Sequence, residues 1–179
     1  MHVGARTMTL FERVVRLLSE RQVSHALIGA AALAARGIAR STFDIDLLTT
    51  DARVLDRALW SALAESGVGV DIRRGDADDP LAGVIRIETP DERPVDVIVG
   101  KHGWQARAIE RAERAPDGPP VVAARDLVLL KLYAGGTQDL WDVRELIQLP
   151  DADRLIAEVT TDLADQPGAM RALWADVRR

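Results

Sequence analysis

Apolar residues recur at helical spacing over residues 9 to about 21, where Leu10, Val14, Leu17 and Leu18 share one face and Thr9 can serve as the N-cap. The short apolar run 24–28 predicts a strand that ends at Gly29. An alanine-rich helix follows from residue 30 to about 36, with Gly37 placed to stop it. Strand periodicity takes over at 44–49, after which Asp51 or Thr50 can cap a helix running to about residue 65. Runs 68–72 and 84–88 predict two strands separated by the polar, turn-rich stretch 74–80. Another strand spans 94–99, with Pro94 confined to its first position, where a missing N–H costs no ladder bond.

The pattern becomes almost wholly helical further on. A helix near 104–114 leads into a Pro- and Gly-rich linker at 115–120, and helices follow at 123–134, 137–149, 151–162 and 168–177. Short strands interleaved with helices, then helices alone, predict an α/β or α+β fold: a mixed sheet flanked by helices, with a helical C-terminal part. The expected division is a sheet-bearing core over 1–114 and a helical part over 121–179 that packs on it. No internal repeat or low-complexity tract interrupts this order.

Composition narrows the chemistry more than the fold. A chain of 179 residues, 47% hydrophobic but only 4% aromatic, can bury a sizeable aliphatic core. A formal charge of −5 argues against a uniformly basic nucleic-acid surface. Local arginine patches remain around Arg36 and Arg40, or around Arg107, Arg111 and Arg114, with solvated helix faces as the plainer reading. Without cysteine there is no disulfide, thiolate zinc site or cysteine nucleophile. His2, His25 and His102 lack the mutual spacing of a metal site and read as structural or surface residues. No stretch approaches the roughly 18 to 20 apolar residues of a membrane span, and the N-terminus lacks a secretory pattern, so a cytoplasmic protein is expected.

The segment GAAALAARGIARSTFDIDLL, residues 29–48, carries the candidate chemistry. In an extended strand Asp44 and Asp46 project together while Ile45 and Leu47 face the other way. Two neighbouring carboxylates repel unless a cation lies between them, and hard divalent ions such as Mg²⁺ prefer such oxygens; a solvated strand face is the alternative. Asp96, within PVDVIVG, is a third candidate, because a lone carboxylate in a buried strand needs a partner. If its strand lies beside that of Asp44 and Asp46, three carboxylates converge and can hold two metal ions. Gly29 either lets a phosphate approach the backbone ahead of a helix N-terminus or only makes a tight strand-to-helix turn.

The series Gly29, Ala30, Leu33, Gly37, Arg40, Thr42, Asp44, Ile45, Asp46 and Leu47 resembles the first motif of minimal nucleotidyltransferases of the DNA polymerase beta superfamily, and looks closest to the AbiEii-like branch, which includes toxins of toxin–antitoxin systems. PVDVIVG is similar to that family's third-acid strand, and DLVLLKLYAGGTQDLWDVREL to its helical rear, so the likeness spans roughly residues 24–149. The resemblance implies transfer of a nucleoside monophosphate from a nucleoside triphosphate to a hydroxyl of RNA such as tRNA, or of protein. Asp44, Asp46 and Asp96 would then be catalytic and hold Mg²⁺, two ions in all. Gly29, Ala30, Arg40, Thr42, Lys131 and Asp139 would serve the nucleotide and its phosphates, with Asp142 a turn beyond.

Each implied role has a plainer counterpart. Lys131 either faces the phosphates or lays its stem over apolar surface. Asp139 and Asp142 either serve the site or cap a helix and pair with Arg144, and Arg40 is either a phosphate contact or a surface charge. The four tryptophans, Trp60, Trp104, Trp141 and Trp174, read as core-edge residues rather than base platforms. Two departures stand out: Ala30, Ala31 and Ala32 occupy positions where family members often carry Gly-Ser or Gly-Gly and a nearby hydroxyl, and Gln138 stands where a basic residue is common. The remaining expectations for this fold are a weakly active or inactive antitoxin or regulatory module, and an antibiotic-modifying nucleotidyltransferase.

Overall fold

Thr9 opens the first helix through a reciprocal cap: in the computed structural model, which describes residues 7–115 and 118–179, the Glu12 N–H donates to Thr9 Oγ1 (3.2 Å) and the Thr9 N–H to Glu12 Oε2 (2.8 Å). His2 and the centre of the 115–120 linker lie outside the described residues. The chain runs α1 (Leu10–Glu20), β1 (Ala26–Leu27), α2 (Gly29–Ala34), β2 (Ile45–Thr49), α3 (Ser61–Glu65), β3 (Gly69–Arg74), β4 (Gly83–Thr89), β5 (Glu92–Val99) and α4 (Gly103–Glu110). Helices α5 (Ala124–Ala134), α6 (Thr137–Leu146), α7 (Ala152–Asp162) and α8 (Gly168–Val177) complete it. The result is the mixed α/β sheet with flanking helices that the pattern predicts.

The five strands form one sheet in the order β1-β2-β5-β4-β3, antiparallel throughout except for the parallel β2–β5 pair. Alternation gives each face its own core. On one side Leu47, Ile85, Ile87, Val95 and Val97 meet Leu10, Val14 and Leu18 of α1 and the fully buried Trp60. On the other, Leu48 joins Leu33 of α2, Trp104 of α4 and the apolar faces of α5 to α8. Asp46, Asp96 and Arg86 therefore belong to the second face. Among the described residues no helix is long and apolar enough to cross a membrane.

Three expectations about elements need correction. The single helix over 51–65 is two 3-10 turns, Ala52–Leu55 and Arg57–Trp60, followed by the short α3. Asp51 accepts from the Arg53 N–H and Asp56 from the Ala58 N–H, so a second capping aspartate restarts the turn where a continuous helix would need helical backbone. Pro94 is not the first residue of its strand. It sits inside β5 at a register shift, with Ile87 opposite Val95 and Thr89 opposite Glu92, and a bulge tolerates the missing donor. The third difference lies at two helix ends: α4 stops at Glu110 because Glu113 pairs backbone to backbone with Val121, and α6 stops at Leu146.

Candidate active site

Parallel pairing of β2 with β5 puts Asp46 directly opposite Asp96, two carboxylates in register on one sheet face. Asp44 lies just before β2, where Thr42 Oγ1 donates to its Oδ1 (3.0 Å) and to its carbonyl (3.1 Å). Arg93 Nη2 fixes the same turn by donating to the carbonyls of Thr42 (3.3 Å) and Asp44 (3.1 Å). Gly29, the first residue of α2, closes the site: its φ is +63°, and a β-carbon built there would fall 2.1 Å from Asp46 Oδ2. The glycine is thus required twice, once for its backbone conformation and once to leave room for the Asp46 carboxylate. Ala30 and Ala32 are buried, so their methyls face inward or pack in the core.

Helices α5 and α6 bring the second half. Lys131 is buried and does not lay its stem over the surface; Nζ reaches Asp139 Oδ1 and Asp142 Oδ2, each at 2.8 Å. Arg40 also pairs with Asp142, and Gln138 Nε2 approaches the other oxygen at 3.4 Å. Arg40 is therefore an internal ion-pair partner in this structure, and Asp142 pairs with Arg40 and Lys131 rather than with Arg144. Arg144 instead lies over the Trp141 ring, 5.5 Å from its centroid. Trp141 is 55% exposed, against the core-edge expectation, while Trp60, Trp104 and Trp174 are buried. His25 bonds through Nδ1 to the Val23 carbonyl (2.8 Å) and His102 through Nε2 to the Tyr133 hydroxyl (2.8 Å), both structural contacts.

The two halves act on each other electrostatically. Burial, then the charges of Asp44 and Asp96, push the Asp46 carboxyl up from 3.8 to about 6, against the opposing pull of Lys131 and Arg40. Asp96 is also raised, chiefly by burial and further by Asp44, while Arg86 pulls it down. Five carboxylates, Asp44, Asp46, Asp96, Asp139 and Asp142, gather here with Arg40, Arg86 and Lys131 against them, Arg73 acting on Asp96 and Arg93 at the Asp44 carbonyl. The half-buried hard oxygens suit Mg²⁺ by donor type. Among the described residues no three such groups are already disposed to wrap an ion.

Arg86 is the residue at this site that the sequence reading passes over. The run GVIRIET alternates as a strand should, but nothing in it shows that Arg86 pairs in register with Asp96. Trp141 and Phe43, at 55% and 75% exposure, similarly adjoin the site carboxylates Asp142 and Asp44 in sequence. A cavity of about 710 Å³ bordered by Arg36, Arg111, Arg125 and Arg154 shares no residue with the acid cluster. Its arginines are already engaged internally, Arg111 with the fully buried Asp126 and Arg125 with Asp162.

Removing the lysine tests how strongly the α5–α6 half depends on it. Lys131→Met removes the ion-pair partner of Asp139 and leaves the buried Asp142 with Arg40 and Gln138, and a broken buried ion pair costs about 3 kcal/mol. Urea unfolding should show that loss near neutral pH; an unchanged midpoint would show the pair to be energetically idle.

A scan of family models and a search of curated proteins each return no match. Solved structures do match. The chain is similar to the crystal structure of ANT(2'')-Ia in complex with adenylyl-2''-tobramycin, with a TM-score of 0.56 and 20% identity over 85% of this chain and 94% of that one. The solution structure of the antibiotic-resistance factor ANT(2'')-Ia gives 0.56 and 19% over 93% and 91%. TM1012 of Thermotoga maritima, described as a nucleotidyltransferase by assignment, gives 0.50 and 14% over 80% and 97%. At these identities the likeness speaks for architecture, and the chain has a nucleotidyltransferase-type fold.

Proposed function

We propose that the chain is a Mg²⁺-dependent nucleotidyltransferase that moves a nucleoside monophosphate from a nucleoside triphosphate to a hydroxyl acceptor and releases pyrophosphate. The observation that carries this reading is the in-register pair Asp46–Asp96 under Gly29, with Asp44 beside it. In the transfer, the acceptor oxygen bonds to the α-phosphorus as the bond from that phosphorus to the β-phosphate bridging oxygen breaks. The hydroxyl proton passes to the Asp96 carboxylate and then to solvent. Asp44, Asp46 and Asp96 would hold Mg²⁺, two ions, which when bound supply charge stabilisation at the transferring phosphoryl group. Gly29 and the Ala30 backbone keep the strand-to-helix turn open to the phosphates, while Arg40, Thr42, Lys131 and Asp139 arrange charge around them. Positioning and preset charge provide the rate.

The acceptor reading carried forward is an RNA such as tRNA, or a protein hydroxyl, in the toxin of a toxin–antitoxin pair with a cognate antitoxin. A small-molecule acceptor is the second reading, favoured by the fold shared with ANT(2'')-Ia, whose complex contains adenylyl-2''-tobramycin. A weakly active or inactive antitoxin or regulatory module is the third; the internal pairing of Arg86 with two of the acids supports it. Incubating the chain with each α-labelled nucleoside triphosphate, Mg²⁺ and either total RNA, a protein extract or an aminoglycoside separates them. Label is expected in one acceptor fraction and not with Asp44→Ala/Asp46→Ala; label in none supports the non-catalytic module, and label that persists in the control refutes the assigned acids.

A further inference from the structure

Arg86 places its guanidinium against two of the three acids of the site. It lies on β4 opposite Asp96, and its neighbours Ile85 and Ile87 are fully buried on the other sheet face, so alternation sends the guanidinium to the acid side. Nη1 donates to both oxygens of Asp96, at 2.9 and 3.1 Å, and stands 3.7 Å from Asp44 Oδ2. Thr42 Oγ1 takes the other oxygen of Asp44 at 3.0 Å. Arg86 thus puts positive charge against both Asp96 and Asp44, where an ion shared by those carboxylates would have to compete with it. The Arg86 side chain is 30% exposed and its Nε lies 3.4 Å from the exposed Glu88 Oε2, so the guanidinium has a route toward solvent.

We infer that Arg86 is an internal counter-cation of the acid site, exchanged for divalent metal when a nucleoside triphosphate arrives, so that metal and nucleotide load together. The inference rests on reading Asp44, Asp46 and Asp96 as a metal and nucleotide site. A guanidinium and a divalent ion compete for the same oxygens, so metal alone must break the Arg86 contacts without compensation and binds weakly. A polyphosphate supplies the displaced guanidinium with a new anionic partner and adds oxygens to the ion. Each ligand thereby strengthens the other, and by linkage the factor is the same in both directions. Arg86 acts here as a positioning residue, through the carboxylates it holds or releases. A purely structural tie between β4 and β5 would leave metal affinity and its coupling to nucleotide unchanged.

The test measures Mn²⁺ binding to the full chain by the paramagnetic signal of the free ion, with and without a nonhydrolysable α,β-methylene triphosphate of each of the four nucleosides. For the wild-type chain, Mn²⁺ alone is expected to bind weakly and about tenfold more tightly with the matching analogue. Arg86→Gln is expected to bind Mn²⁺ alone about tenfold more tightly than wild type and to lose most of that coupling, with Arg86→Lys between the two. If Arg86→Gln does not fold by circular dichroism, the Arg86→Lys comparison decides alone. Mn²⁺ affinity and coupling equal to wild type in the folded variants overturn the counter-cation role and leave the proposed function standing. Mn²⁺ binding to neither wild type nor variants, with or without analogue, overturns the metal reading of the acids and this inference with it.

Discussion

Asp46→Asn is expected to abolish nucleotide transfer, by on the order of a thousandfold, and at the same time to make the protein more stable. The amide removes a carboxylate proposed to hold Mg²⁺, and the stability effect follows because that carboxyl is raised from 3.8 to about 6 by burial and by the neighbouring Asp44 and Asp96 charges. A group that binds its proton more tightly in the folded state favours folding most fully below its unfolded value and loses that contribution as pH rises through the folded value. Holding Asp46 ionised at neutral pH therefore costs the fold about 1–3 kcal/mol, which the amide does not incur. In the absence of divalent ions the Asn variant should melt about 3–8 °C higher at pH 7.5, and the gap should close as pH falls from 7 to 4. Mg²⁺ added together with a nonhydrolysable nucleoside triphosphate should raise the wild-type midpoint more than the variant's. A variant that melts lower than wild type at pH 7.5 would mean that the Asp46 charge is already compensated within the fold.

Gly29→Ala is the second large effect, from the smallest possible change. At φ +63° an L-residue is strained, and the new methyl would lie 2.1 Å from Asp46 Oδ2 and 3.0 Å from its Cγ. Strain and overpacking together should destabilise the chain by about 2–4 kcal/mol, read as a lower urea midpoint at constant slope. Relief of the clash requires the carboxylate to move, so transfer activity should fall by about a hundredfold in whatever fraction remains folded. Gly37→Ala provides the comparison, because Gly37 also has positive φ, +82°, yet a β-carbon there meets nothing within 4 Å. It should lose only about 1 kcal/mol and keep its activity. Equal losses at the two glycines would show that the contact with Asp46 is immaterial.

Where a segment announces itself through several local signals at once, its structure follows from sequence. Helix α1 has a capping residue, a glutamate three positions on and a single apolar face, and it forms with that reciprocal cap. The run from residue 51 to 65 fails the same reasoning because two aspartates compete to cap it, and which turn survives depends on how Trp60 and Leu63 seat in the core. Pro94 misleads for a related reason: a strand tolerates proline at its start or at a bulge, and only the partner strand decides which. Lys131 lies on a helix whose apolar and polar neighbours permit either a surface stem or a buried head, and Asp139 and Asp142 on the next helix select the second.

Period and residue type, read along the chain, determine that Asp44 and Asp46 belong to one extended segment, that Asp96 sits in another, and that a glycine turns the chain ahead of a small helix. Those are consequences of backbone geometry over a few residues, and they need no knowledge of neighbours. The tertiary structure alone decides that β2 and β5 pair in parallel with Asp46 opposite Asp96, that Arg86 arrives from β4 to hold Asp96 and approach Asp44, and that Asp46 fills the space a Gly29 side chain would take. Register between strands distant in sequence is set by burying Leu47, Val95, Val97, Ile85 and Ile87 together on the opposite sheet face. Slipping by one residue would turn those apolar side chains out and the charges in, so the core that excludes water is also what aligns the acids.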